Sequence, residues 1–84
     1  MYEIIFDDEA IDFLNKLQRI LKERIFHKII STKEIPLRFF ERLKGRDDYK
    51  LRIGDYRVIA DINQSTKKIE ITKIGHRRNV YNKL

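Results

Sequence analysis

Basic side chains are concentrated in two stretches of this sequence, one around residue 54 and one near the C-terminal end. Together with a tyrosine in the second stretch, the set is Lys50, Arg52, Arg57, His76, Arg77, Arg78 and Tyr81. Cleavage of RNA without a metal needs a base near the 2′-OH, cations that stabilise the charge developing on the phosphate, and a proton for the leaving oxygen. Since clustered cations favour the phenolate form of a nearby tyrosine, the phenolate is a conceivable base. These residue types therefore indicate phosphate binding or metal-independent cleavage of RNA.

The first basic stretch lies in a predicted β-hairpin. Apolar and polar residues alternate through residues 49–62 on both sides of Gly54-Asp55, which predicts two strands joined by a type II′ turn. This register sets Arg52 directly opposite Arg57. Like charges in that position destabilise a strand pair, so the two arginines indicate a place built to hold an anion. The other face of the hairpin is apolar and is predicted to face the core: Tyr49, Leu51, Ile53, Tyr56, Val58, Ala60 and Ile62.

The charge of the chain is unevenly distributed. Residues 1–48 carry ten Lys/Arg and ten Asp/Glu, whereas residues 49–84 carry nine Lys/Arg and three Asp/Glu, so the whole net charge of +6 lies in the second part. Such asymmetry favours a polyanionic partner, the alternative being a solvated basic face that aids solubility. The chain has no cysteine and two histidines, so neither a protein-bound metal nor a cofactor is expected. The opening apolar run, residues 2–6, is too short for a signal peptide or a membrane span, and we expect a cytoplasmic protein.

The remaining patterns predict the elements that position these side chains. A strand over residues 2–6 precedes apolar residues at helical spacing from Asp8 to Ile30, which we expect to break near Arg19–Arg24 into a helical hairpin. A short buried turn or helix containing Phe39, Phe40 and Leu43 should stop at Gly45. A third strand follows over residues 67–75, with Ile69 and Ile71 on one face and Thr72 and Ile74 on the other. The chain is thus predicted to be one α+β domain, β-α-α-β-β-β, with an antiparallel sheet and two helices on one face.

Three stretches resemble toxins of the RelE/ParE superfamily, and its RelE branch most closely: Leu43-Lys44-Gly45, residues 49–59, and Ile74-Gly75-His76-Arg77-Arg78-Asn79-Val80-Tyr81. The resemblance extends over nearly the whole chain, 1–84. It implies the toxin of a type II toxin–antitoxin system with a RelE-like (microbial RNase-type) fold. RelE-type toxins cut mRNA in the ribosomal A site by attack of the 2′-OH, which leaves a cyclic phosphate and needs no metal or cofactor. The implied partners are the ribosome, mRNA and a RelB-like antitoxin that holds the toxin in an inactive hetero-oligomer.

The resemblance also assigns roles to individual residues. Arg57 matches the hairpin arginine that stabilises the transition state, Arg77 matches the arginine of the third-strand signature, and Tyr81 matches the tyrosine that orients or deprotonates the nucleophile. Lys50 and Arg52 occupy the two basic hairpin positions. Because arginine does not readily transfer a proton, the role expected of Arg52 is electrostatic. The side chains expected to contact RNA or the ribosome are His76, Arg78, Lys67, Lys68, Lys73 and Lys83, of which His76 is also an alternative acid or base.

Two other functions stay open at this point. The chain could be a ParE-like inhibitor of DNA gyrase that does not cut RNA, or an inactive relative that only binds an antitoxin. The presence of Arg57, Arg77 and Tyr81 favours the ribonuclease, because ParE-type members generally lack this set.

Overall fold

A computed structural model describes the backbone of residues 1–83 and the side chains of residues 1–81. The two helices are α1 (Asp8–Asn15) and α2 (Arg19–Ile30). The five strands are β1 (Glu3–Phe6), β2 (Glu41–Arg42), β3 (Tyr49–Ile53), β4 (Tyr56–Asn63) and β5 (Lys68–His76), and short 3₁₀ turns lie at Pro36–Arg38 and Val80–Lys83. The predicted α+β class and the two-helix arrangement are confirmed.

The strands form one sheet in the order β1-β5-β4-β3-β2, antiparallel except for β1, which runs parallel to β5. The predicted hairpin register is confirmed, with Arg52 opposite Arg57 across β3 and β4. Of the two turn residues only Gly54 has a positive φ, 56°, as the first position of a type II′ turn requires. The two arginines and the turn that joins their strands are therefore fixed by local sequence.

The core lies between the helices and one face of the sheet. It consists of Ala10, Leu14, Ile25, Ile29, Phe40, Leu51, Ile53, Val58, Ala60, Ile69, Ile71 and Ile74. Leu51 and Val58 are 2% and 0% exposed, which confirms that the apolar face of the hairpin is the core face. Within residues 1–83, no helix has the length and apolar character that crossing a bilayer requires.

A β-bulge in β5 changes one prediction. The register of β4 and β5 shifts between Ile59 and Ala60, which leaves Thr72 as the extra residue. The Thr72 hydroxyl donates a hydrogen bond to the Ile59 carbonyl at 3.2 Å. Because one residue is inserted, Ile74 returns to the core face and is buried beside Ile71 in the same core. The prediction that Ile74 points away from the core was therefore wrong.

The helical break also lies earlier than predicted. Helix α1 ends at Asn15 and α2 begins at Arg19, so the connection is residues 16–18 rather than a break near Arg19–Arg24. Lys16 caps α1 in ordinary right-handed geometry, and Gln18 is extended before α2. Both conformations are accessible to any residue, so the connection contains no glycine or proline that would reveal the helical break in the sequence.

The segment before the hairpin differs from the predicted buried turn that stops at Gly45. The 3₁₀ turn is followed by β2, whose two residues pair with the start of β3. Phe40 joins the core at 4% exposure, but Phe39 is 38% exposed. The expectation that both aromatics are buried therefore holds only for Phe40.

Candidate functional site

Three predicted cations lie together on the sheet face opposite the core. Lys50, Arg52 and Arg57 line one open cavity of about 370 Å³. The other lining residues are Lys28, Arg38, Phe39, Glu41 and Leu51. Five of the eight are cationic and one is acidic, so this basic cavity attracts anions. Two of these cations, Lys28 of α2 and Arg38 of the 3₁₀ turn, were not predicted as site residues. No local sequence pattern indicates that they lie near β3 and β4, which are distant in the chain.

Arg57 is held in place by the turn that joins its strand to β3. Its Nη1 donates hydrogen bonds to the carbonyl oxygens of Gly54, at 2.8 Å, and Tyr56, at 2.9 Å. A guanidinium carries five N–H donors in a fixed planar fork. Because only Nη1 is used by this anchor, Nε and Nη2 are left to donate to a ligand. The side chain is already ordered, so less conformational entropy is lost when a ligand binds.

Arg77 is tied to the same turn from the end of β5. Its backbone N–H donates to the Asp55 carbonyl at 2.7 Å, and its Nε lies 3.7 Å from Asp55 Oδ1. The Arg77 side chain is half exposed, so this ion pair is weak and an anion can compete for the guanidinium. We refer to Gly54, Asp55, Arg57 and Arg77 as the arginine turn. Arg77 does not line the basic cavity itself.

Tyr81 lies on the C-terminal 3₁₀ turn, which docks on β5 through Val80. Val80 is 1% exposed, and a Cβ built on Gly75 would lie 3.1 Å from the Val80 Cβ. Gly75 is the cross-strand partner of Arg57, so the C-terminal turn is anchored beside the arginine turn. Tyr81 is 39% exposed and does not line the basic cavity. The Lys83 side chain, predicted to contact the ribosome, lies outside the described side chains.

His76 is separated from the hairpin cations. It pairs with Tyr56, whose side chain lies on the core face, and the two rings meet edge to face with centroids 5.5 Å apart. Its Nδ1 accepts a hydrogen bond from the Arg78 backbone N–H at 3.2 Å, so neutral His76 carries its proton on Nε2. The ring lines a different cavity, together with Phe13 of α1. The Arg78 side chain is exposed.

Three lysines that were predicted to contact RNA or the ribosome do not line the basic cavity: Lys67, Lys68 and Lys73. Lys73 forms an ion pair with Glu9 at 3.4 Å and is only 13% exposed, so its charge already has a partner. Lys67 lies with its Nζ 5.0 Å from the centre of the Tyr2 ring, and Lys68 begins β5. Both lie at the far end of β4 from the arginine turn, about 23 Å away for a strand of eight residues.

Carboxylates gather at that far end, which no local pattern in the sequence indicates. Asp61 lies directly opposite Glu70, on the same face as Arg57. Burial, followed by the charges of Asp48 and Asp7, raises the pKa of Asp61. A hydrogen bond with Asp7, followed by its charge, raises the pKa of Glu70. We call Asp7, Asp61 and Glu70 the acidic end; within the described residues, no three His, Asp or Glu side chains are placed to hold a metal ion.

The sequence matches the family of ParE toxins of type II toxin–antitoxin systems, parDE, over residues 4–81. The chain therefore belongs to this toxin family and to the RelE/ParE superfamily, which confirms the resemblance seen in the sequence. No significant match was found among curated protein sequences.

Solved RelE structures share the fold. The RelBE2 toxin–antitoxin complex from Mycobacterium tuberculosis matches with a TM-score of 0.80 and 23% identity, over 90% of this chain and 98% of that one. The archaeal RelE–RelB complex from Pyrococcus horikoshii matches with a TM-score of 0.79 and 27% identity, over 94% and 98%. The isolated E. coli RelE toxin matches with a TM-score of 0.77 and 24% identity, over 90% and 84%. The fold is thus that of RelE toxins.

Proposed function

We propose that this toxin is a ribosome-dependent endoribonuclease that cuts mRNA in the A site by attack of the 2′-OH on the adjacent phosphate. The observation that carries the proposal is the basic cavity beside the arginine turn. Lys50, Arg52 and Arg57 come from two adjacent strands and line one open cavity, and Arg77 is tied to the turn between those strands. The three hairpin cations together with Arg77 suit a phosphate that gains negative charge in the transition state.

The cations have different tasks in the proposed reaction. Arg52 holds the RNA backbone electrostatically, because its guanidinium does not readily give up a proton. Arg57 directs its free Nε and Nη2 at the non-bridging oxygens of the scissile phosphate, and Arg77 supplies a second guanidinium from β5. In this proposal both arginines stabilise the pentacoordinate phosphorane more than the ground state, which is the requirement for catalysis.

Proton transfer completes the reaction. The 2′-oxygen forms a bond to phosphorus as its proton passes to the base, and the bond from phosphorus to the 5′-oxygen breaks as that oxygen receives a proton. We assign Tyr81 as the base. Lys50 is the only one of the three hairpin cations with an ammonium group, and it is assigned as the proton donor to the leaving oxygen. The products are a 2′,3′-cyclic phosphate and a 5′-hydroxyl end.

An antitoxin is the second proposed partner. The Mycobacterium tuberculosis and Pyrococcus horikoshii relatives are toxin–antitoxin complexes, the latter with RelB. A RelB-like antitoxin whose acidic or amphipathic segment covers the basic surface would relieve the repulsion between its cations and block RNA. The proposed resting state is therefore a toxin–antitoxin hetero-oligomer.

Toeprinting on programmed ribosomes tests the ribonuclease. Purified toxin should cut mRNA at the A-site codon only when the ribosome is present. Toxin that has been treated with EDTA should cut equally well, because the proposed reaction needs no metal ion. The Arg57→Ala variant should bind the ribosome without cutting. A toxin that arrests translation without any cut in the mRNA would contradict the proposal.

Gyrase inhibition is the second candidate, favoured by the match to the ParE family. The same toxin preparation should then block DNA supercoiling by purified gyrase at concentrations that leave mRNA intact. An inactive relative that only binds antitoxin would do neither, and its expression alone at high level would be harmless to cells.

A further inference from the structure

Phe39 is an aromatic ring left partly exposed in the wall of the basic cavity. It lines the cavity together with Arg52 and Arg57, and it is 38% exposed while its neighbour Phe40 is 4% exposed. Core packing therefore accounts for the second ring and not for the first. A large apolar side chain held beside several cations is the combination found where proteins bind unpaired nucleotides.

The ring is presented by a rigid backbone. The N–H groups of Phe39 and Phe40 both donate to the Pro36 carbonyl, at 3.0 and 2.9 Å, and Pro36 is itself buried. Strand β2 then begins at Glu41 and pairs with β3, so the segment is fixed on both sides of the ring. The Lys28 Nζ lies over one face of the Phe39 ring, 5.2 Å from its centre, so a base would stack on the opposite face. Because the backbone that carries the ring is fixed, little conformational entropy is lost when a ligand binds to the ring.

We propose that Phe39 is the stacking platform for one unpaired nucleobase of the RNA whose phosphates occupy the basic cavity. This rests on the proposed function, because it takes RNA as the ligand of the cavity. Every base has a π face, so stacking on Phe39 binds any base, whereas the cations hold the backbone. A base inside a duplex has no free face to offer, so the platform selects single-stranded RNA over a helix.

A protein partner would use the same ring differently. Ile35 and Leu37 are also exposed, at 51% and 42%, and an apolar segment of a partner could cover them together with Phe39. That segment would also have to desolvate the cations of the cavity, which is unfavourable unless it brings acidic groups. A nucleotide neutralises the cations with its phosphates and covers the ring with its base. The mixed cationic and aromatic lining therefore fits RNA; if the ring served an acidic antitoxin segment instead, Phe39→Leu would leave binding of RNA unchanged.

Binding to base-containing and abasic RNA separates stacking from charge. The probes are a short fluorescein-labelled single-stranded oligoribonucleotide and an abasic ribose-phosphate oligomer of equal length, followed by fluorescence anisotropy. Phe39→Leu keeps an apolar side chain and removes the ring. It should weaken binding of the base-containing RNA by about fivefold to a hundredfold and leave abasic binding unchanged. Leu37→Ala, an exposed apolar change in the same turn that does not line the cavity, should alter neither. Equal effects of Phe39→Leu on both probes, or none, would overturn the platform.

A second variant reports stacking directly and does not depend on losing binding. The chain contains no tryptophan, so Phe39→Trp introduces a single indole fluorophore. The variant should bind base-containing RNA at least as tightly as the wild type, and its emission should be quenched by that RNA and not by the abasic oligomer. Unchanged emission at saturating RNA would contradict stacking.

Cleavage on ribosomes distinguishes the two proposals. If wild-type toxin does not cut mRNA but Phe39→Leu loses base-dependent binding, the ribonuclease proposal fails and the platform stands. If wild-type toxin cuts mRNA but Phe39→Leu binds both probes like wild type, the platform fails and the ribonuclease stands.

Discussion

At the scale of single residues, hydrogen bonding favours Arg57 over Arg52 as the arginine that acts on the phosphate in the proposed reaction. Arg57 is anchored through Nη1 to two carbonyl oxygens of the hairpin turn, so its remaining donors have a defined direction. No comparable anchor from the Arg52 side chain is found in the described part of the chain, although Arg52 lines the same cavity. The two residues face each other across the strands and should nevertheless respond differently to substitution.

Substitution by lysine tests this difference. Arg57→Lys loses the planar fork and the anchor, and it should slow the cleavage step by at least about a hundredfold, the usual cost of removing one well-placed donor. Arg52→Lys keeps the positive charge that an electrostatic role requires and should stay within about threefold of wild type, which is the matched control. Single-turnover cleavage on programmed ribosomes measures both. Equal losses for the two variants would argue against the separate roles.

Tyr81→Phe tests the assigned base. Removing the hydroxyl should reduce the rate of cutting by about a hundredfold or more, the scale of general-base catalysis, without weakening ribosome binding. His76→Gln is the control, because the structure sets His76 on the sheet face away from Arg57. If Tyr81→Phe cuts normally and His76→Gln does not, the histidine is the base.

Local sequence patterns were sufficient to predict the positions of the hairpin cations, but not the contacts of residues from other parts of the chain. Alternation around Gly54 gives the Arg52–Arg57 pairing because neighbouring strands joined by a two-residue turn have one register. The ion pair of Lys73 with Glu9 joins β5 to α1, and no spacing in the sequence marks such a distant contact. The exposure of Phe39 beside a buried Phe40 depends on the 3₁₀ turn before it, which also has no periodic signal.

At the scale of elements, Gly75 allows the C-terminal turn to dock on β5. Gly75→Ala would bring a Cβ to 3.1 Å from Val80 and displace the turn that carries Tyr81. We expect the cleavage rate to fall by about tenfold or more, because small misplacements of a catalytic group are costly. Gly45→Ala is the control, since its φ of +74° makes the change destabilising although the space is open. Thermal unfolding compares the stabilities; a Gly75→Ala toxin that cuts as fast as Gly45→Ala would show that docking is not required.

Element order was predictable, whereas the irregularities were not. Hydrophobic periodicity gave both helices and the three strands from residue 49 onward, because each element buries one face. The bulge at Thr72 inserts one residue into the period-two alternation of β5. Strict alternation therefore predicts the wrong face for Ile74. The two-residue strand β2 is too short to leave any period.

At the scale of the whole molecule, the sheet face opposite the core is polarised. The arginine turn and the basic cavity occupy one end, and the carboxylates of the acidic end occupy the other. In the proposed function, RNA would be attracted to the first end and repelled from the second, which would orient it along the face. Lys67 and Lys68 lie near the acidic end, so their contribution to RNA binding should be general and sensitive to salt.

The acidic end predicts an unusual dependence of stability on pH. The pKa of Asp61 is raised, so its contribution favours folding below the unfolded pKa of about 4 and is lost as pH rises through the folded value. Asp61→Asn removes the repelled charge and should raise Tm at pH 7 by up to about 4 °C, with the gain disappearing below about pH 4. Glu34→Gln, an exposed change in a loop, is the control in calorimetry at both pH values. A gain that is larger at low pH would reverse the predicted sign.

The ribonuclease proposal is tested most directly by comparing cleavage after the loss of Arg57 and after the loss of Lys68, two cations on the same face of the sheet. Single-turnover cleavage of mRNA on programmed ribosomes, at saturating toxin, should be slowed by about a hundredfold or more in Arg57→Ala. Lys68→Ala removes an exposed cation opposite the far end of β4, about 20 Å from Arg57, and should cut at the wild-type rate, changing only affinity and its salt dependence. If Lys68→Ala slows the cleavage step as much as Arg57→Ala, the basic cavity and the arginine turn are not the site of the reaction.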